Sequence, residues 1–360
     1  MARRNREGSG LPLDGIRVVD FTELLPGPFL THNLLELGAD VVKIERPLVG
    51  DALQRSNPTL YSVLNEHKEC IQLDLRNPAD HKKAKEHILH ADVLIEGYRP
   101  GVMARHGLDY CSLKTSCPRL IYVSLTGYGQ TGPDAKLPGH DINYLACSGV
   151  LALSGEPLGE PMPGAGVPVA DLCGAMYGMS GLLTALFQRE RTGRGQYLDV
   201  AITEAVTHWM ISRAFTLQPS QIQDFTGRRQ FFIRPAYGAF KSRDGRYLSI
   251  AALEDHFWVR LLSVIDIGPY ATPVYARMAV RREHATEINE ALAQAVLKWD
   301  GETLARRLRE ADVPVMLMFE FDQLPALAQH SSRGLFMDTA HGPVCRFPVR
   351  LEGMGAGRRS

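Results

Sequence analysis

The chain has 360 residues, with 45% hydrophobic and 22% charged side chains, and 40 Lys plus Arg against 40 Asp plus Glu. That length suits two domains of ~150 residues or more, and the apolar content excludes disorder of the chain as a whole. A formal net charge of zero speaks against a general nucleic-acid binder or a partner of anionic membranes.

Six scattered cysteines, Cys70, Cys111, Cys117, Cys147, Cys173 and Cys345, include no C-x-x-C pair. This argues against a zinc site and a disulfide scaffold, and it fits a reducing, cytoplasmic setting. The basic start MARRNREGSG has no apolar stretch behind it, so no signal sequence is read there, and its Gly/Ser end suits a disordered leader or an appended, non-native stretch. No run approaches the ~18 apolar residues that predict a membrane span.

The first 200 residues alternate strand and helix. Residues 16–21 form a β-rich run, 28–37 a helix stopped by Gly38, and 41–44 the next strand. Residues 71–75 read as a strand, 79–90 as a helix, and 93–95 and 120–125 as strands. Strands separated by helices of roughly ten residues predict βαβ units and a parallel sheet. Ligands of such sheets sit at the carboxyl ends of the strands. A loop is predicted over 155–168 and a long helix over 172–191, with Gly174, Gly178 and Gly181 on a face that something must approach closely. Residues 197–200 form a strand and 201–217 a helix, and 219–227 read as a linker. Beyond it, 237–241 and 247–251 flank Arg243-Asp244-Gly245, a hairpin signal. Helices over 254–265, 283–298 and 301–311 and a strand over 313–318 complete a smaller α+β unit. The expected organisation is a large domain over 11–200 joined by 325–360, a linking helix and loop over 201–227, and a small domain over 228–324.

Several segments carry polar groups suited to chemistry. Gly127-Tyr128-Gly129-Gln130-Thr131-Gly132 matches a dinucleotide loop, but Pro133 follows and no amphipathic helix begins there. A glycine-rich turn is the better reading. His140 and Asp141 stand between a long loop and an apolar helix, where Asp141 suits a cap and His140 either a structural or a site role. Asp171 precedes the glycine-spaced helix. It reads equally as an N-cap and as a carboxylate base or nucleophile beside N–H groups able to bind an anion. Glu254, alone, reads as an acid complementing a helix start. Arg46, Lys68, Arg76, Arg99 and Arg105 lie near strand ends or turns, where a converging subset would bind phosphate.

Taken together, four segments resemble the class III CoA-transferase family, also called CaiB/BaiF. They are Leu13-Asp14-Gly15-Ile16-Arg17-Val18-Val19-Asp20-Phe21, Gly38-Ala39-Asp40-Val41-Val42-Lys43-Ile44-Glu45-Arg46-Pro47, Glu96-Gly97-Tyr98-Arg99-Pro100-Gly101 and Arg191-Thr192-Gly193-Arg194-Gly195-Gln196. The resemblance runs from about residue 11 to residue 353. It implies an α/β fold with a Rossmann-like large domain and a smaller α+β domain, assembled as an interlocked homodimer. It implies an acyl-CoA substrate, with coenzyme A as part of that substrate and no further cofactor or metal. The coenzyme A contacts would fall on Arg46, Leu73, Arg76, Gly97, Tyr98 and Arg99.

Two chemistries are known in this family. In the transferases an aspartate, here Asp171, attacks the acyl-CoA carbonyl and passes through a mixed anhydride and an aspartyl-CoA thioester. In the α-methylacyl-CoA racemases that aspartate and a histidine flank the α-carbon, and a glutamate pairs with the histidine. Gly139-His140-Asp141-Ile142-Asn143-Tyr144 and Ala251-Ala252-Leu253-Glu254 look like the racemase segments. The resemblance therefore places the catalytic set on His140, Asp171 and Glu254. The sequence is read first as an isomerase inverting a 2-methylacyl-CoA and second as a CoA-transferase; a catalytically silent acyl-CoA binder is the third reading. Cys147 and Cys173 are expected to serve packing.

Overall fold

The computed structural model describes residues 10–155, 162, 166–214 and 233–351. Most of the 155–168 loop, the 219–227 linker and the basic leader lie outside them. The described chain divides into two compact units, one of residues 10–155, 162, 166–214 and 328–351, the other of residues 233–327. The segment after residue 201, expected to link the domains, begins as part of the first unit: the helix Ile202–Trp209 packs on the helix Val169–Thr192.

In the first unit β1 (Arg17–Phe21), β2 (Asp40–Glu45), β3 (Glu69–Gln72), β4 (Val93–Glu96), β5 (Ile121–Thr126) and β6 (Tyr197–Ala201) form one parallel sheet. Its order is β3-β2-β1-β4-β5-β6. The chain runs outward from β1 to β3, then returns beside β1 to build β4, β5 and β6. Strand direction and crossovers thus open a crevice outside the carboxyl ends of β1 and β4, the switch point where such sheets take ligands.

Alternation puts consecutive strand residues on opposite faces. Val18, Val93, Ile95, Ile121 and Val123 face one apolar core with the helices Pro26–Glu36 and Val169–Thr192. Val19, Phe21, Leu94 and Tyr122 face another with the helix Pro78–Leu89 and Met103, Leu108 and Leu113. Both faces are covered, which is why the strands read as continuous apolar runs.

The glycine face of the long helix is closely approached at Gly174 and Gly178 but not at Gly181, where a Cβ would meet Leu198 at an ordinary 3.9 Å. A Cβ on Gly174 would lie 2.7 Å from Ile202, and one on Gly178 2.8 Å from Leu30. Among the described residues this helix alone has the length and composition to cross a membrane, but its Ala170, Ala175, Met179 and Leu182 are buried in the first core.

Several boundaries move. The third strand lies at Glu69–Gln72, not 71–75, because its pairing with β2 ends at Glu45 opposite Gln72. The helix expected over 201–217 breaks into Ile202–Trp209 and Ile211–Ala214. A two-stranded hairpin, β10 (Phe336–Thr339) with β11 (Gly342–Cys345), has no counterpart in the sequence reading. In the second unit β7 (Tyr237–Lys241), β8 (Tyr247–Ala251) and β9 (Val315–Leu317) form an antiparallel sheet. Its hairpin turns through Gly245, whose φ of 84° needs no Cβ. The helices Asp255–Val264, Ala285–Val296 and Gly301–Glu310 pack on it around Trp258, Ile288, Leu292 and Leu304.

Candidate active site

The carboxyl edge of the parallel sheet collects most of the predicted residues. Thr22 to Leu25 follow β1, Arg46 follows β2, Leu73 follows β3, and Gly97, Tyr98 and Arg99 follow β4. The long helix carrying Asp171 leads into β6, so its first turn also lies at this edge.

Asp171 is not the N-cap. The helix begins at Val169 after Pro168, which places Asp171 in the first turn. The cap comes from elsewhere in the chain. Oδ1 of Asp141 accepts the N–H of Ala170 at 2.7 Å and that of Asp171 at 3.2 Å. The N–H of Leu172 bonds the Pro168 carbonyl at 3.1 Å. The donors expected to serve an oxyanion are therefore engaged within the protein.

The Asp171 carboxyl, half-buried, accepts no hydrogen bond and joins no ion pair among the described residues. Burial, and then the Asp141 charge, push its pKa up to about 6. An ionised carboxylate with no partner keeps its lone pairs available to a carbonyl carbon.

His140 is exposed and caps the helix Asp141–Cys147, where its N–H donates to Asn143 Oδ1 at 3.0 Å. Since Asp141 ties the N–H of Asp171, one residue links the His140 segment to the candidate nucleophile. Tyr144 braces that segment by donating to the Gly139 carbonyl at 2.7 Å. A Cβ on Gly127 or Gly139 would lie 2.4 or 2.6 Å from its ring, so both positions require glycine. Burial first, with Asp171 next, raises the Tyr144 phenol to about 12. The Gly127–Gly132 turn is the plain turn expected: the Asp199 carboxylate accepts the N–H of Gln130 at 3.1 Å. Cys173 is buried and its thiol pushed up to about 11 by burial, consistent with a packing role, whereas Cys147 is exposed and does not pack.

Glu254 belongs to the second unit. It is exposed and caps the helix Asp255–Val264, with no side-chain hydrogen bond among the described residues. The segment around it is held by Arg281, fully buried, which donates to the Leu253 carbonyl at 2.6 Å and to Asp255 at 3.0 Å. Sequence reasoning passed over Arg281, and a single arginine in a helix gives no local signal of such a role.

The basic residues differ in availability. Arg46 makes a two-pronged pair with Glu23 at 3.1 and 3.0 Å. Arg76 does the same with Asp74 at 3.0 Å for each prong. Arg99 is exposed and forms no ion pair among the described residues. Lys68 is buried and bonds within the protein, so it is no surface phosphate ligand. Glu96, at the end of β4, is buried and accepts from Ser124 and from the N–H of Tyr98. Its desolvation outweighs these donors and raises its pKa to about 7.

Comparison with known proteins gives a consistent picture. Residues 13–359 match the profile of CoA-transferase family III. The acetyl-CoA:oxalate CoA-transferase of Acetobacter aceti is 33% identical over 354 residues, covering 95% of this chain and 90% of that protein. The beta subunit of succinyl-CoA–L-malate CoA-transferase from Chloroflexus aurantiacus is 37% identical over 290 residues, covering 78% and 71%. The crystal structure of a CAIB/BAIF family protein from Brucella suis superposes with a TM-score of 0.81 at 28% identity, covering 95% of this chain and 93% of that one.

Proposed function

This chain belongs to CoA-transferase family III, and we propose that within it the chain moves coenzyme A from an acyl-CoA to a small free carboxylic acid through Asp171. The relatives reported above are CoA-transferases, which favours this reading over the isomerase that the sequence alone put first. The observation that carries it is the Asp171 carboxylate itself, held in the first turn of a helix, half-buried and without a hydrogen-bond partner among the described residues.

The steps balance without a metal or redox group. The Asp171 carboxylate adds to the thioester carbonyl, the C–S bond breaks, and coenzyme A leaves as thiolate. That leaves a mixed anhydride between Asp171 and the acyl group. The thiolate then attacks the aspartyl carbonyl and releases the donor acid as carboxylate, leaving an aspartyl-CoA thioester. The acceptor carboxylate adds to this thioester and expels the thiolate to form a second anhydride. Thiolate attack on its acyl carbonyl gives the new acyl-CoA and restores Asp171. Asp141 holds the helix start through these steps.

The reading extends to setting and assembly. Six cysteines without a disulfide support a cytoplasmic enzyme, and the family resemblance supports an interlocked homodimer, which light scattering tests. The isomerase reading retains one favourable observation, the link from the His140 segment through Asp141 to Asp171. One experiment separates the two. The protein is incubated with acetyl-CoA or succinyl-CoA and a second dicarboxylic acid, and a parallel sample with a 2-methylacyl-CoA in deuterated water. Transfer of coenzyme A to the acid, with a hydroxylamine-trappable adduct on Asp171, supports the proposal. Deuterium at the α-carbon with no acid-dependent transfer overturns it in favour of the isomerase.

A further inference from the structure

Behind the carboxyl ends of β1 and β2 lies a group of four buried charges that the chemistry above does not use. Asp20, Lys43, Asp51 and Lys68 have side chains closed to solvent. Lys43 pairs with Asp51 at 3.1 Å and Lys68 with Asp20 at 3.5 Å. Burying four charges is costly, and apolar replacements would commonly serve stability as well. Their hydrogen bonds show where the specificity goes. Asp20 accepts the N–H of Thr22 at 2.8 Å and its hydroxyl at 2.5 Å. Lys43 donates to the Thr22 carbonyl at 2.5 Å. Asp51 accepts the N–H of Leu24 at 2.8 Å. Lys68 joins the group to the next helix through Thr31, at 2.7 Å.

All three charges nearest the edge thus converge on one loop, Thr22 to Leu25, which leaves β1 at the switch point. Leu24 has a φ of 65° there, a left-handed conformation that a leucine does not adopt unaided. Gly27 lets the loop close, since a Cβ would lie 2.1 Å from the Thr22 hydroxyl oxygen. Within the loop, Glu23 holds the guanidinium of Arg46 with two prongs.

We infer that the Asp20–Lys43–Asp51–Lys68 group is a positioning device: it locks the Thr22–Leu25 loop in its left-handed turn and, through Glu23, aims Arg46 along the switch-point crevice toward the coenzyme A part of the substrate. The inference rests on the acyl-CoA reading above. The four charges act through the loop and touch no substrate.

Calorimetry with free coenzyme A on the intact protein tests it, alongside KM and kcat for transfer. Replacing Lys43→Met together with Asp51→Leu removes a pair rather than stranding one charge. The expected result is a folded protein with coenzyme A binding weakened about tenfold or more, as the loss of a charge-assisted contact implies. KM should rise with kcat changed far less, and in an Arg46→Ala background the double substitution should add little further loss. A second variant, Leu24→Pro, forbids the left-handed turn and removes the N–H that Asp51 accepts, at an exposed position, and should weaken binding likewise. Variants that fold and bind coenzyme A as the parent does overturn the inference, as does full additivity with Arg46→Ala. A parent protein that binds no coenzyme A defeats the acyl-CoA reading instead.

Discussion

Oδ1 of Asp141 accepts the backbone N–H of Asp171 at 3.2 Å across 30 residues of chain. The carboxylate that caps the helix is also the charge that presses on the candidate nucleophile. Asp141 therefore bears on both the position and the charge state of Asp171, alongside the larger effect of burial.

The pH dependence of transfer should report Asp171. In the proposed mechanism it is the Asp171 carboxylate that attacks, and its pKa stands at about 6, so kcat/KM for acyl-CoA should rise with pH through about 6 and then level. Asp171→Asn should abolish transfer. The same substitution should stabilise the fold at pH 7. A carboxyl whose pKa is higher folded than unfolded favours the fold at low pH, and that advantage is lost as pH rises from about 4 to 6. Removing the charge should recover about 1–2 kcal/mol at neutral pH, allowing for partial exposure. A thermal melt at pH 7 checks the sign.

Asp141→Ala should separate the two effects of its carboxylate. Loss of a helix cap costs about 1–2 kcal/mol, so the melting temperature should fall. Loss of the neighbouring charge should also move the acid limb of the pH–rate profile below about 6, though burial, the larger cause, remains. A variant whose stability falls while the limb stays in place would show that the Asp141 charge does not reach Asp171.

Glu96 should impose its own slope on stability. Its pKa is about 7 in the fold against an ordinary 4.5. Stability should therefore fall as pH rises from 4.5 to 7 and flatten above that. Glu96→Gln should reduce that slope, and it should be more stable than the parent at pH 8 by about 1–3 kcal/mol. Urea denaturation at pH 5 and pH 8 measures both arms. Equal slopes in the two proteins would locate the titration elsewhere.

Gly127→Ala should be costly for its size. The new Cβ meets the Tyr144 ring at 2.4 Å, and the ring is anchored by its bond to the Gly139 carbonyl. Overpacking of this kind costs about 1–3 kcal/mol. Displacing Tyr144 also disturbs the Gly139–Asp141 segment, so transfer activity should fall along with the melting temperature.

The sequence carried the sheet well, because each strand is a short apolar run bounded by turns. The hairpin strands β7 and β8 match their predicted spans without change, and β1, β4 and β6 differ by one residue. The glycines of the long helix announced its close neighbours. Helix starts were harder. Asp171 carries every local mark of an N-cap, but the true cap, Asp141, lies far away in the chain, and no local pattern reveals such a partner. The same holds for the buried charges: Lys43 and Lys68 look like ordinary surface lysines until β2 and the loop after β1 are brought together. Arg46 and Arg76 were expected as available cations, yet each is engaged by an acid: Asp74 two residues away in the same turn, and Glu23 in the loop after β1, brought beside Arg46 by strand pairing.

The first unit is discontinuous: residues 328–351 return to it only after the second unit has been made. Phe347 packs against the core formed by residues from 13 to 206. During synthesis the six strands leave the ribosome long before this last contribution, and domains generally fold as they emerge. A nascent chain released only as far as β6 thus has its whole parallel sheet while the apolar surface that receives Phe347 stays uncovered. The interval needed to translate the inserted unit is a window in which that surface is open to chaperones or to another growing chain, and chains truncated near residue 330 should show it permanently.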